Sequence, residues 1–183
     1  MSVVTPISGN IYPNNSPLHS LKSTLGLIGI SVTHPARNES LFYETDAHAA
    51  WRMYDNEFLF YKSIASSSFH IVYSDEPITN QVALQIIYAM SKNRPILMTG
   101  KLTFASTTIP FMRETITKHA QHFHRVKLAE LELTELSILL SKLKPIDYSL
   151  SRNEKVLIKA GVKMHFRHLI ERAKTFRTKK SKK

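Results

Sequence analysis

The stretch from Ala50 to Gly100 constrains the fold more than any other, because it alternates helix-forming and strand-forming patterns. Residues 70–74 read His-Ile-Val-Tyr-Ser, a short β-branched and apolar run that predicts a buried strand. Apolar residues then recur at helical spacing from Val82 to Met90, and Arg94-Pro95 ends that helix before a second apolar strand. This order is typical of parallel α/β sheets. We therefore predict an α/β fold, a small Rossmann-like or flavodoxin-like sandwich with helices on both faces.

Functional residues are expected where the strand at residues 70–74 ends. In open α/β sheets, ligands bind at the carboxyl ends of the strands, close to helix N-termini. The turn after this strand carries Asp75 and Glu76, and Thr79 and Asn80 begin the next helix. These four side chains are therefore the first candidates for a binding or catalytic site.

The same stretch resembles the nucleoside 2-deoxyribosyltransferase family, which includes nucleoside-monophosphate N-glycosidases. The resemblance rests on four consecutive elements. They read Tyr-Asp-Asn-Glu at 54–57, Ile-Val-Tyr-Ser-Asp-Glu-Pro at 71–77, Leu-Gln-Ile-Ile-Tyr-Ala-Met-Ser at 84–91 and Arg-Pro-Ile-Leu-Met at 94–98. It implies a nucleoside or nucleotide ligand, no cofactor, and a homo-oligomer whose subunits complete each other's pockets.

In this resemblance, Gln85 matches the glutamate that attacks the sugar in the family. A neutral amide cannot form the covalent glycosyl-enzyme that a carboxylate forms. The resemblance gives Glu57 the role of positioning the sugar and the catalytic carboxylate. The candidates for ligand contact are Gly29, Thr79, Asn80 and Tyr88. We therefore expect a divergent member that binds a nucleoside or nucleotide in a cleft beside Gln85, without transferring the glycosyl group.

Two other functions remain open. The first is an active N-glycoside hydrolase or transferase in which Asp75, Glu76 or Glu57 takes over, because hydrolysis by water needs only a general base and a stabilised oxocarbenium ion. The second is a non-enzymatic scaffold that binds RNA or a protein through a basic C-terminal helix.

The basic residues are concentrated at the C-terminal end. The net charge is +11, of which residues 151–183 supply +10 through twelve Lys or Arg and two acidic residues. Such a segment attracts phosphates without reading sequence. An anionic membrane surface or a simple solubilising role is also compatible with it. The candidate surface residues are Lys163, Arg167, Arg172, Lys174 and Arg177.

The chain is predicted to have four parts. Residues 1–20, rich in Pro, Ser and Asn, are expected to form a flexible arm, and 21–130 the α/β domain, with its first strand within 23–33. Residues 131–174 are expected to form a helical extension, whose last helix opens with a capping box at Ser151. Residues 175–183 are expected to form a disordered basic tail.

Several classes of protein are disfavoured by the sequence. There is no cysteine, hence no disulfide framework, and no apolar run approaches the roughly 20 residues of a membrane span. With no visible signal peptide, the expected location is the cytoplasm. His119, His122 and His124 are closely spaced, but no fourth ligand accompanies them, so no metal site is predicted.

The helix that precedes the strand at 70–74 should bury an aromatic stripe. Trp51, Tyr54, Phe58 and Tyr61 recur at i, i+3, i+7 and i+10, which is helical spacing. We expect this stripe to face the core, with Glu57 beside it.

Overall fold

The computed structural model describes residues 3–9, 23, 25–27, 30–33, 47–74, 76–127 and 132–180. Its strands are β1 (Val3–Gly9), β2 (Ile30–Thr33), β3 (His70–Ser74), β4 (Ile96–Gly100) and β5 (His124–Arg125). Its main helices are α1 (Ala47–Ser66), α2 (Asn80–Ser91), α3 (Pro110–His119), α4 (Leu133–Lys142) and α5 (Arg152–Lys180), with a 3₁₀ turn at Ala120–His122. The fold is therefore mixed α/β, as the sequence predicts.

The strands pair in parallel in the order β2-β1-β3-β4-β5. The central strands are β1, β3 and β4, and the shorter β2 and β5 lie at the edges. His70 pairs with Ile96 and Ser74 pairs with Gly100, so β3 and β4 end side by side. All five residues of β3 are buried, which explains why its sequence is apolar without alternation.

Side chains that alternate along β3 and β4 enter two separate apolar clusters. Val72 and Met98 belong to a cluster that also contains residues of α1, α2 and α3. Ile71 and Leu97 belong to a second cluster, to which α4 contributes Leu136. Neighbouring residues of one strand are therefore buried against different helices.

Helix α5 packs against both α1 and α2. The capping box predicted at its start is confirmed, since the Ser151 amide donates to Glu154 Oε2 at 2.7 Å and the Glu154 amide donates to Ser151 Oγ at 3.2 Å. Its Gly161 lies so close to α2 that an added Cβ would be 3.1 Å from Leu84 Cδ1. The small residue therefore permits the close approach of the two helices. Among the helices that the structure describes, none combines the length and the apolar character needed to cross a lipid bilayer.

Two predictions about the N-terminal region are wrong. Residues 3–9, expected within a flexible arm, form β1, which lies between β2 and β3. The long strand expected within 23–33 is limited to Ile30–Thr33, and Ser23 and residues 25–27 are helical, with Leu25 fully buried in the second cluster. Pairing with β3 stabilises β1 despite its Pro6, because tertiary contacts override local preference.

One prediction about the C-terminal region also needs correction. Residues 131–174, expected as a helical extension, contain helices that contribute Leu136 to the second cluster and Ile158 to the first. The tail expected to be disordered from residue 175 continues α5 to Lys180, whereas residues 181–183 lie outside the described residues.

The aromatic stripe predicted on α1 is only partly buried. Phe60 and Tyr61 are in the core, but Phe58 exposes 50% and Trp51 37% of its surface. The buried face of α1 is rotated from the predicted one because α5 and α2 both contact this helix. Glu57, expected beside the stripe, lies on that buried face.

Candidate functional site

The loops that leave β3 and β4 are joined at the carboxyl edge of the sheet. The Ile78 amide donates to the Thr103 carbonyl at 2.8 Å, and the Ala105 amide donates to the Ile78 carbonyl at 3.0 Å. Ser74 Oγ donates to the carbonyl of Lys101 at 2.9 Å. The two loops therefore form one connected surface next to the end of β3.

Gly100 allows this edge to be compact. Its φ is +88°, a left-handed conformation that side chains rarely adopt, and an added Cβ would lie 2.0 Å from the Ser74 carbonyl oxygen. Glycine is therefore required where β4 ends against β3.

The N-terminus of α2 lies at this edge, and its predicted residues have different roles. The Asn80 side chain is hydrogen-bonded within the protein through both of its polar atoms. Its Nδ2 donates to the Thr107 carbonyl at 2.9 Å, and its Oδ1 accepts from the Ile109 amide at 2.7 Å. Thr79 is the N-cap residue but makes no side-chain capping bond. Its Oγ1 is buried and has no hydrogen-bond partner within the described chain. The first turn of α2 therefore keeps amide groups that could bind an anion.

Away from the strand edge, Glu57 belongs to a group of polar side chains between α1, α2 and α5. Gln81 Nε2 donates to Glu57 Oε1, and His165 Nε2 lies 3.4 Å from Glu57 Oε2. Glu57 exposes only 7% of its surface. Its carboxylate is thus engaged by side chains from two other helices, and it links α5 to the α1–α2 pair.

Tyr61 borders this group. Its ring centroid is 5.0 Å from that of Tyr88 and 5.9 Å from that of His165. Burial raises the pKa of Tyr61 well above its ordinary value, and the charges of Glu57 and Tyr88 add to the effect. The hydroxyl therefore stays protonated, and among the described residues it has no hydrogen-bond partner.

Gln85, expected to face a cleft, exposes 1% of its surface. It follows Gln81 by one helical turn, so both amides lie on the same side of α2. The neighbouring residue, Leu84, contacts α5 at Gly161. The expectation of an open cleft at Gln85 is therefore wrong in this structure, because α5 packs over this part of α2.

The remaining predicted residues are distributed over several places. Glu76 is half-buried in the loop after β3, and its carbonyl accepts from Ser74 Oγ at 3.1 Å. Tyr88 lies near the opposite end of α2 from Asn80, about 12 Å along the helix axis at 1.5 Å per residue. Asp75 and Gly29 lie outside the described residues. Thr79, Asn80 and Glu76 are therefore together at the strand edge, and Tyr88 is not.

The predicted basic residues lie along α5. Lys163, Arg167 and Lys174 are exposed and Arg172 is half-buried, whereas the side chain of Arg177 lies outside the described set. Gln81 and His165, the partners of Glu57, were not among the predicted residues. The four-residue spacing of Gln81 and Gln85 predicts that both lie on the same face of α2. The contact between Glu57 and His165 depends on how α5 packs and could not be predicted from the sequence.

Two of the closely spaced histidines, His119 and His122, lie near each other. His119 is buried and its Nε2 has no hydrogen-bond partner among the described residues, and its ring centroid is 6.3 Å from that of His122. Burial lowers the pKa of His119. Within the residues that the structure describes, no three His, Asp or Glu side chains converge to hold a metal ion.

Comparison with known proteins gives no family. No protein-family model, curated protein or solved structure matches this chain. The resemblance to nucleoside 2-deoxyribosyltransferases therefore stays a prediction that rests on residues 50–100 alone.

Proposed function

We propose that the protein binds a nucleoside monophosphate or a related nucleotide at the carboxyl edge of the sheet, without transferring its glycosyl group. The observation that carries this proposal is the strand order β2-β1-β3-β4-β5. This is one of the two common orders of doubly wound, flavodoxin-like sheets, in which ligands bind where the order reverses, here between β1 and β3. The strand at that point, β3, leads directly into α2.

The start of α2 supports a ligand that carries phosphate. Backbone amides and the helix dipole at a helix N-terminus favour an anion. The Thr79 side chain does not cap α2, and its buried Oγ1 has no partner among the described residues. A phosphate at the first-turn amides would accept hydrogen bonds from them, and rotation of the half-buried Thr79 side chain would add its hydroxyl as a further donor.

The polar group around Glu57 argues against glycosyl transfer. The residue in the nucleophile position, Gln85, is a buried amide. Glu57 is engaged by Gln81 and lies against His165. Among the other carboxylates considered as catalytic residues, Glu76 lies at the carboxyl edge of the sheet, where the nucleotide is proposed to bind. An assay for release of the nucleobase must therefore test for hydrolysis by water with Glu76 as the general base.

The binding proposal is tested with Thr79→Val. Valine has nearly the shape of threonine, and the lost hydroxyl has no partner in the described chain, so the free energy of unfolding should change by less than about 1 kcal/mol. Binding of deoxynucleoside monophosphates, measured by isothermal titration calorimetry, should weaken about tenfold through the lost hydrogen bond to a charged group. Thr117→Val, on the exposed face of α3, is the matched control and should bind as the wild type does. Equal binding by all three proteins would contradict the proposal.

The same samples are assayed for free base by chromatography. We expect no release above the buffer rate, because neither Gln85 nor the engaged Glu57 supplies a nucleophile. Release that disappears in Glu76→Gln would instead establish an N-glycoside hydrolase.

Gln85→Glu should destabilise the protein and leave it inactive. A carboxylate at a position with 1% exposure loses its hydration, which costs roughly 2 kcal/mol near neutral pH unless it takes up a proton. Chemical denaturation measures the loss, with Gln85→Met, neutral and similar in volume, as the reference substitution. Base release by Gln85→Glu, with native stability, would mean that this position faces a working glycosyl-transfer pocket.

A second candidate function is a scaffold that binds RNA through α5. The observation in its favour is the exposure of Lys163, Arg167 and Lys174 along one helix. Phosphate contacts of this kind make affinity fall steeply with salt. Binding of a short single-stranded RNA that persists unchanged at high salt, or that never occurs, would exclude this function.

A further inference from the structure

A groove of about 440 Å³ lies between the C-terminal end of α2 and the first turns of α5. Its walls include Tyr88 and Lys92 on one side and Lys155, Lys159 and Val162 on the other. A volume of this size is typical of sites for small molecules. The groove is at the opposite end of α2 from Thr79, and is therefore separate from the proposed nucleotide site.

The described residues that line the groove carry three positive charges and no negative one. The cations are Lys92, Lys155 and Lys159. Among the residues that the structure describes, none of these three lysines forms an ion pair. Lys155 and Lys159 are four residues apart on one helix, where like charges repel. A bound anion would offset this repulsion.

The walls of the groove are held in place by contacts beneath it. Ile158, between the two lysines of α5, is 1% exposed and belongs to the first apolar cluster. The close contact of Gly161 with Leu84 fixes the distance between α5 and α2. On the other wall, Lys92 Nζ lies 5.3 Å from the centroid of the Tyr88 ring. The helices that carry the three exposed lysines are thus held together before any ligand binds, so binding does not have to order the backbone of either wall.

We propose that this groove binds a compact polyanion that carries two or more phosphate groups. Three cations around one concave site match several negative charges on a small molecule better than a single carboxylate. The stripe of exposed cations that continues along α5 at Lys163 and Arg167 lies outside the groove. The proposal does not depend on the nucleotide site, because it concerns different residues and a different ligand.

The test uses tripolyphosphate as the probe and isothermal titration calorimetry at low ionic strength. Lys155→Gln/Lys159→Gln removes two charges from the groove. Lys163→Gln/Arg167→Gln is the matched control, because it removes the same charge from exposed positions on the same helix that lie outside the groove. Circular dichroism checks that both variants keep the helical content of the wild type.

We expect the groove variant to bind tripolyphosphate about tenfold more weakly than the wild type, and the control to change by less than about threefold. Equal weakening in both variants would overturn the proposal, since the attraction would then come from the overall charge of α5. A wild type that does not bind tripolyphosphate would also overturn it, and binding of single-stranded RNA by that same sample would favour a nucleic-acid surface instead.

Discussion

Gly100→Ala is expected to lower the free energy of unfolding by more than about 3 kcal/mol. The φ of Gly100 is +88°, and an added Cβ would lie 2.0 Å from the Ser74 carbonyl oxygen and 2.7 Å from its carbonyl carbon. Both obstacles are backbone atoms of β3, which cannot rotate away. The substitution must therefore separate the ends of β3 and β4, and chemical denaturation should show a large fall in the midpoint.

Gly161→Ala is the matched control for this experiment. Its added Cβ would meet only the end of the flexible Leu84 side chain, at 3.1 Å, and alanine favours the helix by about 1 kcal/mol over glycine. We expect its stability to stay within about 1 kcal/mol of the wild type. If Gly100→Ala were as stable as Gly161→Ala, the close contact between Gly100 and Ser74 would be contradicted, and with it the geometry of the proposed nucleotide edge.

His70→Phe is expected to stabilise the protein, most strongly in acid. His70 is fully buried in β3, neither ring nitrogen has a hydrogen-bond partner among the described residues, and its ring lies 6.3 Å from that of Phe60 between centroids. Burial lowers the pKa of His70 from 6.5 to about 3. Replacing an unsatisfied imidazole by phenyl should raise the free energy of unfolding by roughly 1 kcal/mol at pH 7.

The acid dependence follows from which state binds the proton. Between pH 6.5 and about 3, the unfolded chain protonates His70 and the folded chain does not, so stability falls as the pH falls. The loss is roughly 1.4 kcal/mol per pH unit, which gives about 3 kcal/mol by pH 4.5. His70→Phe should remove this part of the slope, measured as unfolding free energy at several pH values.

The exposed His168 supplies the control for this measurement. His168→Gln, which replaces an exposed histidine of the same protein, is measured in parallel as the matched substitution. A slope that is the same in His70→Phe and in the wild type would show that His70 is not the group that titrates on unfolding.

The central unit of the fold could be predicted because its signals are local. The buried apolar run of β3, the helical spacing of α2 and the Arg94-Pro95 stop all lie within residues 50–100, where predicted and observed elements agree. Strand β1 could not be predicted in the same way. It contains Pro6 and precedes a segment rich in Pro, Ser and Asn, and its strand conformation depends on pairing with β3, whose residues are more than sixty positions away.

The site could be predicted only where it depends on the sheet. Thr79, Asn80 and Glu76 follow β3 in sequence, so their place at the strand edge follows from the fold class. The environment of Gln85 and Glu57 depends on α5, which is distant in sequence and covers α2 and α1. The groove lined by Lys92, Lys155 and Lys159 (the lysine groove) also could not be predicted from the sequence, because its two walls come together only when α5 packs on α2. Contacts between distant helices leave no local pattern.

The central claim is that a nucleotide binds at the carboxyl edge of the sheet, and amide chemical shifts test it most directly. Uniformly ¹⁵N-labelled protein is titrated with a deoxynucleoside monophosphate and followed by heteronuclear NMR. We predict shift changes that cluster at Ser74, Glu76, Thr79, Asn80 and Gly100. No changes at saturating ligand, or changes confined to the lysine groove, would contradict the claim.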